Sequence, residues 1–278
     1  MKITYLGTAA AEGLPAMFCR CEVCLRAMKA GGRNRMTRSQ ALVNDDLLID
    51  FPADSLRHLH QNELDFSAVT TLIVTHSHFD HFVPIDLHLR NSAYFAHNLT
   101  ADHLELYGNE RVLEVLNTDQ KTYAVEPAAE GLSVHLAKAY QPFRSGQYDV
   151  IPLRANHAPE ENALNYVVSD GEKTLLYLHD TSLPFEETYD FLREKKIRAD
   201  LVSYDCTFGA RPHGATHLGL PACAAVREKL EAIGVSDANT ISVINHFSHN
   251  GRSIYDELVP VAAELGFLTA YDGMVVRF

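Results

Sequence analysis

Short apolar runs divided by polar turns set the rhythm of the chain, and most are too short to be helices. Residues 2–6 read as a strand, and a glycine-bearing loop follows from Gly7 to Gly13. Residues 40–43 and 46–49 are apolar pieces flanking Asn44-Asp45, the pattern of a hairpin. Residues 53–61 have helical spacing. Residues 71–74 form a β-branched run that stops at a polar cluster, as a buried strand does when it delivers side chains to a site at its end. Leu104, Tyr107, Val112 and Leu116 recur at helical intervals and predict a surface helix over 101–116.

The second half repeats the opening and then changes. Strands are expected at 133–136, 149–153, 163–168 and 174–178, with Ser169-Asp170-Gly171 as the clearest turn. A helix begins after Pro184 with Glu186 and Glu187 and ends in Arg193, Lys195 and Lys196, the charge order a helix dipole prefers. Strand 200–204, helix 218–233, strand 241–245 and helix 253–265 follow, and Asp272-Gly273 is expected to turn a terminal hairpin. No linker-like break interrupts this order, which predicts one mixed α/β domain over 1–278.

The 278 residues are 46% hydrophobic and 22% charged, an ordinary globular mix that excludes a disordered or fibrous chain. No apolar run approaches the roughly 20 residues of a membrane helix. The start, Met1-Lys2-Ile3-Thr4-Tyr5-Leu6-Gly7, does not read as a signal peptide, so a cytoplasmic protein with no membrane partner is expected. The net charge of -12 argues against a nucleic-acid track. Three of the five cysteines crowd together as Cys19, Cys21 and Cys24, and the fifteen histidines outnumber the thirteen phenylalanines; both facts point to metal.

The densest chemistry is Thr75-His76-Ser77-His78-Phe79-Asp80-His81. On an extended backbone His76 and His78 project to one side, while Asp80 and His81 reach a second position after the chain turns. Burying so many polar groups without partners would be costly, whereas a two-metal centre uses them all. Metals roughly 3.5–4 Å apart would activate a bridging water for attack on a phosphoryl or acyl centre.

The pattern His76-x-His78-x-Asp80-His81 resembles the signature of the metallo-β-lactamase superfamily, whose fold is a four-layer αββα sandwich. Three later candidates each follow an apolar strand: His157 in Ala155-Asn156-His157-Ala158, Asp180 in Leu178-His179-Asp180-Thr181, and His246 in Ile244-Asn245-His246-Phe247. The resemblance implies that His76, His78 and His157 hold one metal, Asp80, His81 and His246 the other, and Asp180 bridges both. Either zinc or manganese suits such mixed nitrogen and oxygen ligands. Asp50 matches the family's aspartate that buttresses the histidine ligands, although Pro52 stands where the family usually has a small residue. His179 faces away from its neighbour and is expected to be structural or to sit behind the ligands.

Cys19, Cys21 and Cys24, spaced C-x-C-x2-C, want a fourth soft ligand, and His249 is the best candidate. Such a closed Cys3His site would be a structural zinc tying the N-terminal loop to the His246 loop. Cys206 and Cys223 lack such spacing and read as small core residues. With the cysteine cluster, the chain is similar to PhnP-type proteins, the phosphoribosyl cyclic phosphodiesterases of the carbon–phosphorus lyase pathway. The similarity runs from Leu6-Gly7-Thr8 to Tyr271-Asp272-Gly273-Met274 and is weakest over about 90–133, where this chain is longer.

That resemblance implies hydrolysis of a small cyclic phosphodiester, such as 5-phosphoribosyl 1,2-cyclic phosphate, by a metal-bridging hydroxide. Asp80 would orient the hydroxide besides binding metal. His217, in Thr216-His217-Leu218-Gly219-Leu220, would assist the departing oxygen, with His213 as its substitute. It also makes a homodimer reasonable. Two alternatives remain: a hydrolase of the same fold acting on a lactone, thioester or other ester, and a non-catalytic accessory protein of cofactor biosynthesis resembling pyrroloquinoline quinone protein B. His58, His60, His88, His97, His103 and His135 lack any signature context and are expected to be structural or exposed.

Overall fold

The computed structural model describes residues 1–90, 94–122 and 131–278. The first half runs β1 (Lys2–Gly7), α1 (Glu22–Ala30), β2 (Gln40–Val43), β3 (Leu47–Ile49), α2 (Ser55–Gln61) and β4 (Thr71–Ile73). It continues through α3 (Ile85–Leu89), β5 (Leu104–Gly108), α4 (Glu110–Thr122) and β6 (Leu132–Leu136). The second half runs β7 (Phe143–Ser145), β8 (Tyr148–Arg154), β9 (Leu164–Ser169), β10 (Thr174–Leu178), α5 (Glu186–Glu194) and β11 (Leu201–Asp205). It ends with α6 (Leu220–Ala232), β12 (Ile241–Asn245), α7 (Tyr255–Glu264), β13 (Leu268–Thr269) and β14 (Met274–Arg277).

The strands form two seven-stranded sheets, ordered β14-β1-β2-β3-β4-β5-β6 and β13-β12-β11-β10-β9-β8-β7. Period-two alternation gives each sheet two apolar faces, and each face finds its own partner. Ile3, Tyr5, Ile49 and Ile73 of the first sheet meet Tyr148, Tyr166, Leu175 and Tyr177 of the second in the central layer. Leu48, Leu72 and Leu106 turn outward onto Leu87 of α3 and Val112 and Leu116 of α4. Leu176, Val202, Tyr204 and Ile244 turn outward onto α5, α6 and α7 through Leu192, Val226 and Leu258. The result is the αββα sandwich that the signature implies. Among the described residues, no helix is long and apolar enough to cross a membrane.

Strand direction places the chemistry. β3, β4, β5 and β6 run parallel to one another, as do β10, β11, β12 and β13. Asp50, His76, Asp180, Asp205 and His246 therefore stand at the carboxyl ends of β3, β4, β10, β11 and β12. Three of these end residues, Asp50, Asp180 and His246, have left-handed backbones, with φ of 67°, 47° and 65°. Only a firmly packed surround holds non-glycine residues there, and such conformations gather at functional sites.

The structure corrects two expectations. The helix expected over 101–116 is strand β5 followed by α4. Leu104 and Leu106 alternate into the outer core while β5 pairs with β4 and β6, and Asn109 starts α4 by accepting the Val112 amide at 2.9 Å. The terminal hairpin is absent, because β13 pairs with β12 in one sheet and β14 with β1 in the other. The Asp272-Gly273 turn, with Gly273 at φ 88°, thus carries the chain between sheets. The cysteine cluster opens a helix, α1, with Cys21 at its N-cap and the Cys21 sulfur accepting the Cys24 amide. Of the region 90–133, expected to be longer than in PhnP-type proteins, residues 91–93 and 123–130 lie outside the described residues.

Candidate metal centres

The loop after β4 turns tightly, with the amides of His81 and Phe82 both donating to the His78 carbonyl. It brings His76 Nε2 within 2.9 Å of His78 Nδ1, and His157 Nε2 within 3.4 Å of the same atom. Two nitrogens bonded at about 2.0–2.1 Å to one tetrahedral ion stand about 3.3–3.4 Å apart, so the three rings converge as ligands of a single ion do. Their outward nitrogens are held elsewhere. His76 Nδ1 is 3.0 Å from Thr75 Oγ1, His157 Nδ1 is 3.3 Å from the Thr216 carbonyl, and His78 Nε2 is 3.3 Å from Glu160.

A second set, Asp80, His81, Asp180 and His246, is buried beside the first. Asp180 lies between the two sets. Its Oδ1 is 2.7 Å from His246 Nε2, and its Oδ2 is 3.2 Å from His81 Nε2 and 3.5 Å from both His76 Nε2 and His157 Nε2. The inner atoms His81 Nε2, His246 Nε2 and Asp180 Oδ1 are buried without a properly aimed hydrogen-bond partner among the described residues. Such orphans are costly unless an ion completes them, so the residues present fit a pair of divalent metals. Burial works against charge on His81, yet Asp180, Asp80 and Asp50 outweigh it and raise its affinity for a proton; the same carboxylates would draw a dication to Nε2.

Asp50 stands behind His81, as the sequence led us to expect. Its Oδ2 accepts a hydrogen bond from His81 Nδ1 at 2.7 Å, and its Oδ1 accepts the Thr75 amide at 2.7 Å and hydroxyl at 2.9 Å. Thr207 Oγ1 lies 2.8 Å from His246 Nδ1. These contacts leave Nε2 of both ligands aimed inward. Glu161 pins the loops together, accepting Ser77 Oγ at 2.8 Å and Asn109 Nδ2 at 2.8 Å.

His217 reaches the rim of the second set, its ring centroid 4.9 Å from that of His157 and 5.6 Å from that of His246. Its Nδ1 donates to Asp205 Oδ2 at 2.8 Å. Burial disfavours the imidazolium, but the Asp205 carboxylate more than compensates and lifts its pKa to about 9. His213 is exposed on the same loop, outside the metal-capable clusters of the described residues. His179 is buried against Ser203 at 2.7 Å and belongs to none of these clusters. Asp205 was missed as a functional group. Its signal was the one Asp50 carries, a carboxylate ending a buried parallel strand, but no ligand motif stood next to it.

Cys19, Cys21, Cys24 and His249 also converge. His249 Nδ1 is 3.8 Å from Cys21 Sγ and 3.3 Å from Cys24 Sγ, against about 3.6 Å expected across a tetrahedral zinc with these bond lengths. Amide donors surround the sulfurs: Cys21 to Cys19, Cys24 to Cys21 and Ala16 to Cys24. The amide of Cys24 holds the Cys21 thiol below its ordinary pKa, which favours the thiolate a metal needs. Glu12 lies 3.5 Å from the far nitrogen of His249 and accepts Ser248 Oγ at 2.5 Å. Cys206 and Cys223 are buried core residues, as expected.

Residues 46–238 match the beta-lactamase superfamily domain, a stretch that includes the first histidine set, Asp180, Asp205 and His217. Coenzyme PQQ synthesis protein B of Methylorubrum extorquens is 29% identical over 225 residues, covering 74% of this chain and 73% of that protein. A diphosphatase from the PhnP family superposes with a TM-score of 0.75 at 20% identity, over 100% of this chain and 97% of that one. Zinc-bound PqqB of Methylobacterium extorquens gives 0.73 at 16% identity over 100% of both chains. The short form of human tRNase Z gives 0.68 at 18% identity, over 100% of this chain and 99% of that one.

Proposed function

From a chain that belongs to the beta-lactamase superfamily, we propose a metal-dependent phosphodiesterase of PhnP type, acting on small cyclic phosphodiesters such as 5-phosphoribosyl 1,2-cyclic phosphate. The observation that carries the reading is the His217–Asp205 pair on the rim of a ligand set centred on Asp180. A carboxylate-backed imidazole, whose affinity for a proton Asp205 raises, suits an anionic phosphoryl group better than a neutral ester.

Two divalent metals, held by His76, His78 and His157 and by Asp80, His81 and His246 with Asp180 between them, would supply Lewis-acid polarisation and an activated water. The protein's own groups do the rest. Asp50 and Thr207 hold Nδ1 of His81 and of His246, so that Nε2 of each is the nitrogen directed inward to a metal. His217, held as the imidazolium by Asp205, donates its Nε2 proton to the leaving oxygen and is left neutral with its Nδ1 proton hydrogen-bonded to Asp205. Asp80, buried at the second set, orients the attacking oxygen.

The 29% identity to coenzyme PQQ synthesis protein B supports a second reading, an accessory protein of cofactor biosynthesis. The complete set of inward-facing ligands favours hydrolysis. Steady-state turnover of 5-phosphoribosyl 1,2-cyclic phosphate by zinc- or manganese-loaded protein is the test, with an aryl phosphodiester, a diphosphate ester, a phosphomonoester and a lactone in parallel. Selective turnover of the cyclic phosphate supports the proposal. Turnover of the lactone alone, or of nothing by a protein holding only the cysteine-site zinc, overturns it.

A further inference from the structure

Behind Asp50 runs a line of buried polar groups that the chemistry above does not use. Gln40, at the start of β2, and His58, in α2, are 0% and 1% exposed. Gln40 Nε2 lies 2.9 Å from the Asp50 carbonyl and 3.0 Å from Ser55 Oγ, and Gln40 Oε1 lies 2.7 Å from His58 Nδ1. His58 Nε2 lies 2.7 Å from Thr37 Oγ1, which is 2.6 Å from Asp272 Oδ2. Asp272 also accepts the Thr37 amide at 2.7 Å and the Thr8 hydroxyl at 2.7 Å. A side chain at Gly7 would meet the His58 ring at 2.8 Å, so the glycine lets the backbone close over it.

The direction of every bond follows from one end. The Asp50 carbonyl can only accept, so the Gln40 group facing it is the NH2. Ser55 donates its own proton to the Pro52 carbonyl at 2.6 Å, which leaves its oxygen free to accept from the same NH2. Gln40 Oε1 therefore faces His58, and His58 carries its proton on Nδ1. Thr37 has one hydroxyl hydrogen for two neighbours, His58 Nε2 and Asp272 Oδ2. Both contacts are hydrogen bonds only when one further proton is shared between His58 and Asp272 through Thr37. Burial pushes Asp272 up to about 6 and His58 down to about 4, so that proton sits on the carboxyl below about pH 6 and leaves it above. Arg57 and Asp54 are the charged groups that bear on the pair.

We propose that His58 and Gln40 are positioning residues for the second metal set: with Thr37 and Asp272 they form a directed chain that ends on the Asp50 carbonyl and holds the Asp50 carboxylate against His81. The anchor is needed because Asp50 sits at φ 67°, where its backbone has no intrinsic preference to stay. The inference rests on the metal-site reading but not on any substrate.

The test uses the full chain with 15N-labelled histidine, and titrates zinc by chelator competition. In the wild type, His58 carries its proton on Nδ1 and His81 gives the low-field Nδ1–H signal of a carboxylate-bound imidazole. Gln40→Met loses that His81 signal and weakens one active-site zinc about tenfold, while the second active-site zinc and the cysteine-site zinc are unchanged. Thr37→Val shifts the His58 nitrogens and weakens the same zinc by a smaller factor, and Thr37→Ser restores both. The proposal is overturned if His58 carries its proton on Nε2. It is equally overturned if Gln40→Met, or Thr37→Val should the former fail to fold, binds all its zinc as the wild type does. A wild type that binds zinc as described but turns over none of the phosphodiesters leaves this inference standing and removes the functional one.

Discussion

Replacing Asp205 by asparagine isolates what the carboxylate does to His217. Asp205 is fully buried, and its Oδ1 accepts the Thr207 amide and hydroxyl, both at 2.9 Å, while its Oδ2 accepts His217 Nδ1 at 2.8 Å. Asparagine keeps the shape and one acceptor but removes the charge. Lifting His217 from 6.5 to about 9 corresponds to roughly 3 kcal/mol in favour of the imidazolium. Once that charge is gone, burial and His81 lower the ring's affinity for a proton against Asp180 alone, so the acid form loses population at neutral pH. General acid catalysis is worth about 10²–10⁴-fold. We therefore expect Asp205→Asn to lower kcat/KM for a cyclic alkyl phosphodiester by 10²-fold or more. An aryl phosphodiester, whose leaving group departs without a proton, should lose only a few-fold. Zinc content and melting temperature, measured alongside, should show a folded, loaded protein. Equal losses on both substrates would mean that His217 does not protonate the leaving oxygen, and the reasoning from the Asp205 contact would fail.

Asp180→Ala should abolish hydrolysis by more than 10³-fold and release both active-site metals, because its two oxygens face both sets, whereas His78→Ala should release one; metal analysis after gel filtration separates the two. Cys21→Ser should remove the third zinc and lower the melting temperature by roughly 5–10 °C, since that site ties residues 19–24 to residue 249, and a calorimetric scan reads it. Asp272 is raised in the folded chain by burial, so the stability it confers is complete below pH 3.8 and is lost as pH rises through about 6. Urea unfolding between pH 3.5 and 7 should register a decline of about 3 kcal/mol, and Asp272→Asn should flatten it.

The metal ligands were legible because their chemistry contradicts their setting. Three histidines and an aspartate directly behind an apolar strand serve no packing purpose, and the structure gathers His76, His78 and His157, and Asp80, His81, Asp180 and His246, into two adjoining sets. The αββα layering followed from the same alternation, since strands apolar on both faces, such as β10 and β11, must be covered on both. What sequence spacing could not decide was which neighbour each segment would find. Leu104 and Tyr107 satisfy helical spacing as well as a strand's, and only pairing with β4 and β6 settles the matter. Asp272-Gly273 is a turn in either topology, but whether β13 and β14 pair with each other depends on the sheets they join.

The line behind Asp50 shows the same limit in its strongest form. Thr37 and Asp272 are 235 residues apart, and Gln40 and His58 are 18 apart in different elements. No local pattern marks any of them for this role, because each is a polar residue whose part in the line exists only once the fold brings it to its partner. A ligand announces itself by crowding with other ligands, whereas a positioning residue is recognised from the direction of its hydrogen bonds. The Asp50 carbonyl fixes Gln40, Gln40 fixes the His58 tautomer, and the tautomer fixes how many protons Thr37 and Asp272 must hold between them. That dependence makes the least legible part of this site as open to refutation as its metals.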